Sequence, residues 1–145
     1  MNKVNYKSNL STNEKVLMGI VRLAEKFKRE HSTVFRSYGV SFPQYNVLRV
    51  LETSKGGQNK IGDVSGIMLV PVANITGVAK RLEKEGFIIK KSDPSDDRVT
   101  ILEITSKGKR TLKNIEREKD EKLKVMLKNL TEKQKRVLLD TVRLI

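Results

Sequence analysis

The stretch Leu82-Glu83-Lys84-Glu85-Gly86-Phe87-Ile88, followed by Asp93-Pro94-Ser95-Asp96-Asp97-Arg98 and then Ile104-Thr105-Ser106-Lys107-Gly108, decides the fold. Its first part is the end of a helix. Gly86 supplies the left-handed exit that a helix C-terminus favours, and the period changes from helical to β immediately after it. Residues 87–91 and 99–104 are rich in β-branched and apolar side chains. Residues 92–98 between them are polar and contain Pro94, so the segment predicts a hairpin with a long tip. Thr105 then stands where it can cap another helix.

Working back from this point, Pro71 suits the first turn of the helix that ends at Gly86, with Ile75, Val78, Ala79 and Leu82 facing inward. A short helix over residues 61–68, weakened by Gly62 and Gly66, precedes it. Residues 54–60, with Gly56-Gly57, read as a turn. Ser41-Phe42-Pro43-Gln44 opens another helix through a Ser-x-x-Gln capping box, and Tyr45, Val47, Leu48 and Leu51 form its face. Ser11-Thr12-Asn13-Glu14 is a second such box. The long helix after it carries Leu17, Ile20, Ala24, Phe27, Val34 or Phe35, and Tyr38 at helical spacing, and stops near Gly39. His31 lies on the same stripe.

Working forward, residues 105–127 read as a heavily charged helix with Leu112, Ile115, Leu123 and Met126 on one side. Thr131-Glu132-Lys133-Gln134 caps a last helix bearing Val137, Leu138, Val142 and Ile145. The fold class is therefore mainly α with a small β-hairpin. A helical pair followed directly by a hairpin is the winged helix-turn-helix order. No repeat and no linker divides the chain, so residues 1–145 read as one domain.

Composition narrows the function classes. The chain has 145 residues and a formal net charge of +13, with 37% hydrophobic residues. So basic a chain points to a polyanionic partner, nucleic acid or an anionic membrane surface, unless the charge serves solubility alone. A core this lean suggests that apolar surface is buried against a second subunit. There is no cysteine and a single histidine, which argues against disulfides, thiol redox sensing and a dedicated zinc site. No metal or cofactor is expected. Met1 to Leu10 is polar and lacks the apolar core of a signal peptide, and no apolar run approaches the ~20 residues of a membrane span. A cytoplasmic protein with no membrane partner is the expectation. No catalytic triad, carboxylate pair or phosphate-binding glycine loop is evident, which argues against an enzyme. The scarcity of aromatic platforms disfavours single-stranded RNA.

At the three quoted motifs the chain resembles the MarR family of transcriptional regulators. Further matches run through residues 44–51, Val64-Ser65 and Ile75-Thr76, and the resemblance covers nearly the whole chain. It implies a homodimer bound to double-stranded DNA at a palindromic operator, more often as a repressor. Helices over about residues 11–38 and 105–145 would form the dimer, and about residues 41–104 the DNA-binding lobe. Arg98 resembles the family's wing arginine that reaches into the minor groove, and Asp96 the acid that orients it. An ordinary surface ion pair is the plainer alternative.

On the recognition helix the exposed positions are Val72, Ala73, Asn74, Thr76, Gly77, Lys80 and Arg81. Asn74 and Thr76 can bond base edges or phosphate, Val72 and Ala73 can touch thymine methyls, and Gly77 permits close approach. Lys80 and Arg81 read as phosphate contacts, although Arg81 can instead pair with an acid of its own domain. The start of this helix departs from the family pattern. Val70-Pro71-Val72 offers no capping side chain, and Leu69 replaces a small turn residue. Many relatives also bind a small aromatic or anionic molecule between the dimerisation helices and the DNA-binding lobe. Arg22, His31, Phe35, Tyr38 and Tyr45 are the candidates for lining such a pocket, with core packing the alternative for the apolar ones.

Overall fold

The computed structural model describes residues 9–145; most of the polar stretch read as no signal peptide lies outside the described residues. Six α-helices and a three-stranded antiparallel sheet follow in the order α1 (Thr12–Ser37), α2 (Phe42–Thr53), β1 (Gln58–Lys60), α3 (Ile61–Met68), α4 (Val72–Lys84), β2 (Ile88–Asp93), β3 (Asp96–Ile104), α5 (Ser106–Met126) and α6 (Glu132–Val142). A 3-10 turn, Lys55–Gly57, joins α2 to β1. The capping boxes at Ser11/Glu14, Ser41/Gln44 and Thr131/Gln134 all form. In each, the hydroxyl accepts from the N3 amide while the N3 side chain accepts from the cap amide, so two orphan donors are satisfied at once.

Two local readings are corrected. Residues 58–60 are not turn but a strand, added to the free edge of β3 in the order β1-β3-β2. The wing tip is also short. β2 runs to Asp93 and β3 starts at Asp96, leaving only Pro94 and Ser95 between them, with a register irregularity at Ser92/Asp93. Arg98 therefore lies within β3, two residues from its start, and not in a loop.

The core joins both halves of the chain. Leu48 and Leu51 of α2, Val64 of α3, Ile75 and Leu82 of α4, Ile88 and Leu102 of the sheet, and Ile115 of α5 are all fully or almost fully buried. The apolar positions on α4 recur at i, i+4 and i+7, and this spacing fixes which face of the helix remains outside. α3 and α4 meet at a bend of 114°. At the corner Leu69 adopts a left-handed conformation, φ 54°, and its side chain is 91% exposed. The buried Ser65 secures the corner. Its hydroxyl donates to the Val70 carbonyl at 2.5 Å, and its own carbonyl accepts from the Val70 amide at 3.2 Å.

The passage out of α4 is fixed by Gly86, Thr105 and Gly108. Gly86 has φ 80°. The Thr105 hydroxyl lies 2.7 Å from the Gly86 carbonyl and 3.0 Å from that of Phe87, and it accepts from the Gly108 amide at 3.2 Å. A Cβ on Gly108 would stand 2.6 Å from the Phe87 carbonyl oxygen. The Thr-x-x-Gly spacing thus follows from a close crossing of the α5 start over the end of α4.

Candidate nucleic-acid interface

The outer face of α4 and the wing are the surfaces through which a winged helix meets DNA. Pro71 precedes α4 as its N-cap residue, with φ −58° and ψ 145°, instead of lying in its first turn, and no side chain caps the helix. Val72, Ala73, Asn74, Thr76, Lys80 and Arg81 are exposed, and Gly77 is half-buried. The Thr76 hydroxyl donates to the Val72 carbonyl at 3.0 Å. Neither Lys80 nor Arg81 pairs with a described carboxylate, so the internal partner considered for Arg81 is not found.

On the wing, Arg98 and Asp96 meet in a two-toothed contact. Arg98 Nε donates to Asp96 Oδ1 at 3.1 Å and Nη2 to Oδ2 at 3.3 Å, while the Arg98 amide also donates to Oδ1 at 3.1 Å. The Arg98 side chain bonds hold the Asp96 carboxyl below its ordinary range, with the amide bond adding to the effect. The Arg98 side chain is nevertheless 87% exposed. It is oriented and still has free donors, which suits a contact with a further anion.

Sequence reasoning missed the acid that organises the tip. Asp93 is 8% exposed and accepts from the Ser95 hydroxyl at 2.6 Å, the Ser95 amide at 2.9 Å and the Lys60 ammonium at 3.2 Å. Its carboxyl is pulled down to about 2, first by the Ser95 hydroxyl, then by the Ser95 amide, with Lys60 next. Asp-Pro-Ser is a local turn signal, but the Lys60 bond crosses the sheet and is invisible in sequence.

Of the five residues considered for a small-molecule pocket, His31, Phe35 and Tyr45 are buried. Phe35 stacks on Tyr45 with ring centroids 4.0 Å apart, and Phe27, His31 and Phe42 complete an aromatic cluster. The His31 Nδ1 lies 3.0 Å from the Phe27 carbonyl oxygen, while its Nε2 is buried without a partner among the described residues. Tyr38 donates to Glu118 at 3.0 Å. Arg22 stands exposed on α1. A cleft of about 340 Å³ lies between α2 and α5. Of the five, only Tyr45 lines it, together with the cations of Arg49, Lys109, Lys113 and Lys119 and the acids Glu52 and Glu116.

An outward apolar face completes the picture. Val16, Leu17, Ile20 and Val21 of α1 and Val137, Leu138, Leu139 and Val142 of α6 are exposed, and α6 has no buried residue. Between α1, α5 and α6 lies an apolar groove of about 350 Å³ lined by Ile20, Phe27, Met126, Leu138 and Val142 among others. Among the described residues, no single helix is long and apolar enough to cross a membrane.

A bent helical pair with an exposed second helix, backed by a three-stranded wing carrying an oriented arginine, defines a winged helix-turn-helix DNA-binding protein. The profile of the family described as "Transcriptional regulator SarA/Rot" matches residues 29–115, more than half of the chain. The chain belongs to this family of transcriptional regulators, and its fold is that of the MarR-type winged helix-turn-helix proteins. It is 30% identical over 70 residues to the uncharacterized HTH-type transcriptional regulator YdgJ of Bacillus subtilis, a match covering 48% of this chain and 43% of that protein. Its fold is similar to that of Sco3205, a MarR family regulator from Streptomyces coelicolor solved in complex with DNA. There the TM-score is 0.85 at 19% identity, covering 95% of this chain and 89% of that one. It is also similar to the organohalide-sensing regulator RdhR-CbdbA1625 in its 2,4-dichlorophenol-bound form, with TM-score 0.84 at 16% identity, covering 99% and 86% of the two chains.

Proposed function

We propose that this regulator acts in the cytoplasm as a homodimeric repressor on a palindromic operator, with α4 of each subunit in successive major grooves and Arg98 in the flanking minor groove. The observation that carries the reading is the unpaired apolar surface on α1 and α6. Isolated exposed leucines are ordinary, but a continuous apolar face on two helices calls for a partner. A second copy covers it through the same face and leaves both wings free. Residues 11–38 and 105–145 then form the dimer, and 41–104 the DNA-binding lobe. In this arrangement Val72, Ala73, Asn74, Thr76 and Gly77 face bases, Lys80 and Arg81 face phosphates, and Asp96 orients Arg98.

The experiment pairs light scattering with binding to palindromic and half-site duplexes. The full chain should scatter as a dimer and prefer the palindrome. Affinity should fall steeply with salt, with a log–log slope of about −0.9 per phosphate contact. The variant lacking residues 131–145 should be monomeric or aggregated. A truncated protein that remains a DNA-competent dimer defeats the dimer assignment, and a flat salt dependence defeats the phosphate contacts.

Relief by a small molecule is the regulatory half of the proposal. A relative's structure holds a phenol, and here the cleft between α2 and α5 combines the Tyr45 ring with four cations, Arg49, Lys109, Lys113 and Lys119, which outnumber the two carboxylates of Glu52 and Glu116. That chemistry suits an aromatic anion. Phe35 stacks on the Tyr45 ring and His31 packs in turn against Phe35, and Tyr38 and Arg22 remain candidates for a pocket completed by the second subunit. Titration with benzoate or chlorophenolate should displace the operator, and Lys113→Ala should blunt the response without altering the affinity of the free protein for DNA.

A further inference from the structure

The positive charge of this chain is not where the winged helix is. Residues 41–104 hold 9 of the 30 basic side chains and 8 of the 17 acidic ones, a net of +1 out of +13. The remaining +12 lies on residues 1–40 and 105–145, which carry α1, α5 and α6. On α1, Lys15, Arg22, Arg29 and Arg36 recur at every seventh residue, and all four are exposed. Seven residues fall about 20° short of two helical turns, so the four stay on one face over about 32 Å of helix. None of them forms an ion pair with a described carboxylate, and Glu25 is taken by Lys28. On α5 the pattern recurs with Arg110, Arg117 and Lys124, all exposed, and of these Arg117 is paired, to Glu121 at 3.4 Å.

We propose that these two rows hold a second segment of duplex DNA, so that the protein joins the duplex under α4 to another. The inference stands apart from the operator reading, because it needs no particular base sequence and no residue of α4 or the wing. α2 packs against α1 and α5 as well as against α3 and α4, and so stands between the rows and the reading helix. A surface kept for solubility intersperses both signs of charge, whereas the α1 row is of one sign. Leu17, Ile20 and Phe27 lie on the other side of α1. A second copy seated on that apolar side therefore leaves the cations facing outward. A protein partner is anchored by buried aromatic or apolar side chains, and on the face of the α1 row the one exposed large apolar side chain is Met18. Cations spaced along a line suit phosphates, which neutralise them without regard to sequence. The length of the row, about 32 Å, is close to the ~34 Å of one duplex turn. For a protein already seated on DNA, the neighbouring duplex is also the polyanion at the highest effective concentration.

The test uses the full-length protein and two duplexes. A duplex enriched from a random pool is fixed to beads, saturated with protein and washed, and a fluorescent duplex of unrelated sequence is then offered. If no duplex is enriched the operator reading fails alone, and a duplex of arbitrary sequence at low salt takes its place on the beads. Capture of the second duplex should fall with salt, with a log–log slope of about −0.9 per phosphate contact. Arg22→Glu combined with Arg29→Glu should reduce capture about tenfold or more and make that slope shallower by about 0.9 for each contact removed. The affinity for the first duplex should change far less. Arg22→Lys combined with Arg29→Lys should capture like the unaltered protein, because charge and not packing is at work. The α5 row is tested in the same way with Arg110→Glu and Arg117→Glu. Absence of capture by the unaltered protein, or capture that survives reversal on both rows, overturns the inference. An equal loss of affinity for the first duplex places the rows within a single DNA footprint and overturns it too. Binding of phosphatidylserine vesicles without capture of DNA overturns it in favour of a membrane surface. The salt titration and the vesicle comparison need only the unaltered protein, so they decide even where a variant fails to fold.

Discussion

Lys60 Nζ lies 3.2 Å from Asp93 Oδ2, so the N-cap residue of α3 is tied to the tip of the wing. Lys60 is also the last residue of β1, which pairs with β3 at Ile101. The short strand thus links the helix-turn-helix to the hairpin twice, once through backbone pairing and once through charge. The position of Arg98 relative to α4 depends on both links.

The first prediction concerns pH. The Asp93 carboxyl titrates at about 2 instead of 3.8, mainly through Ser95 and secondarily through Lys60. A depressed carboxyl pKa contributes stability that is complete above the unfolded value and lost as pH falls through the folded one. The tip should therefore hold at pH 4 and loosen towards pH 2. The Ser95 amide resonance should report a midpoint near 2. Lys60→Met should raise that midpoint yet leave it below 3.8, because the two Ser95 bonds remain. A midpoint at the ordinary carboxylate value in the unaltered protein would falsify the assignment.

A second prediction concerns Gly108. A methyl group there would meet the Phe87 carbonyl at 2.6 Å and the Ile104 side chain at 2.7 Å. Backbone cannot yield as a flexible side chain can, so α5 must lift away from the end of α4. Gly108→Ala should cost about 1–3 kcal/mol, the usual range for overpacking, and possession of a better helix former will not recover it. Urea denaturation of the two proteins decides it, and equal midpoints would show that the crossing is looser than the geometry indicates.

How much of this was legible beforehand follows from the range of each interaction. The capping boxes at Ser11, Ser41 and Thr131 were readable because each is closed within three residues. The helix exit at Gly86 and the Thr105 cap were readable for the same reason. β1 was not, because Gln58-Asn59-Lys60 has no apolar alternation and becomes a strand only through β3, some forty residues later. The wing tip looked long because Ser92 and Asp97 are poor strand residues, and cross-strand pairing overrides that preference. The α2–α5 cleft is not legible in sequence, because Arg49, Lys109, Lys113 and Lys119 look like solvated charges until the two helices pack. Leu69 stands where a small turn residue is expected, and its left-handed conformation is the physical form of that departure.

A third prediction comes from His31. Its ring is 1% exposed, its Nε2 has no partner among the described residues, and burial lowers its pKa despite the opposing Phe27 carbonyl and Glu30. Lys119 and Lys122 also disfavour the charged ring. With the folded pKa below 6.5, the neutral ring's contribution is complete above pH 6.5 and is lost as pH falls through the lowered value. His31→Leu should flatten this part of the pH–stability profile. It should also stabilise the protein at neutral pH by up to about 1–3 kcal/mol, the range for relieving one unsatisfied buried polar group. Thermal melts at pH 5.5 and 7.5 measure both effects. An unchanged pH slope in the variant would mean that other groups produce it.

The last prediction concerns the wing arginine. Arg98 is held by Asp96 through two side-chain bonds and remains largely in solvent, so the folded protein gains little from it. An exposed ion pair is worth at most about 1 kcal/mol, and Arg98→Ala should shift stability by no more than about 0.5 kcal/mol. Binding is a different matter. A hydrogen bond to a charged group is worth about 1.5–3 kcal/mol, or roughly 10- to 150-fold in operator affinity at fixed salt. Asp96→Ala should also weaken binding, because the guanidinium then loses its orientation, although removing an acid near DNA would by charge alone strengthen it. The sign for Asp96 therefore separates the two accounts. Orientation predicts weaker binding and a double variant whose loss is smaller than the sum of the single losses. Simple charge predicts tighter binding for Asp96→Ala and additive effects. Measuring the four proteins on one selected duplex completes the cycle, and an Arg98→Ala protein of unchanged affinity leaves this pair as an ordinary surface contact.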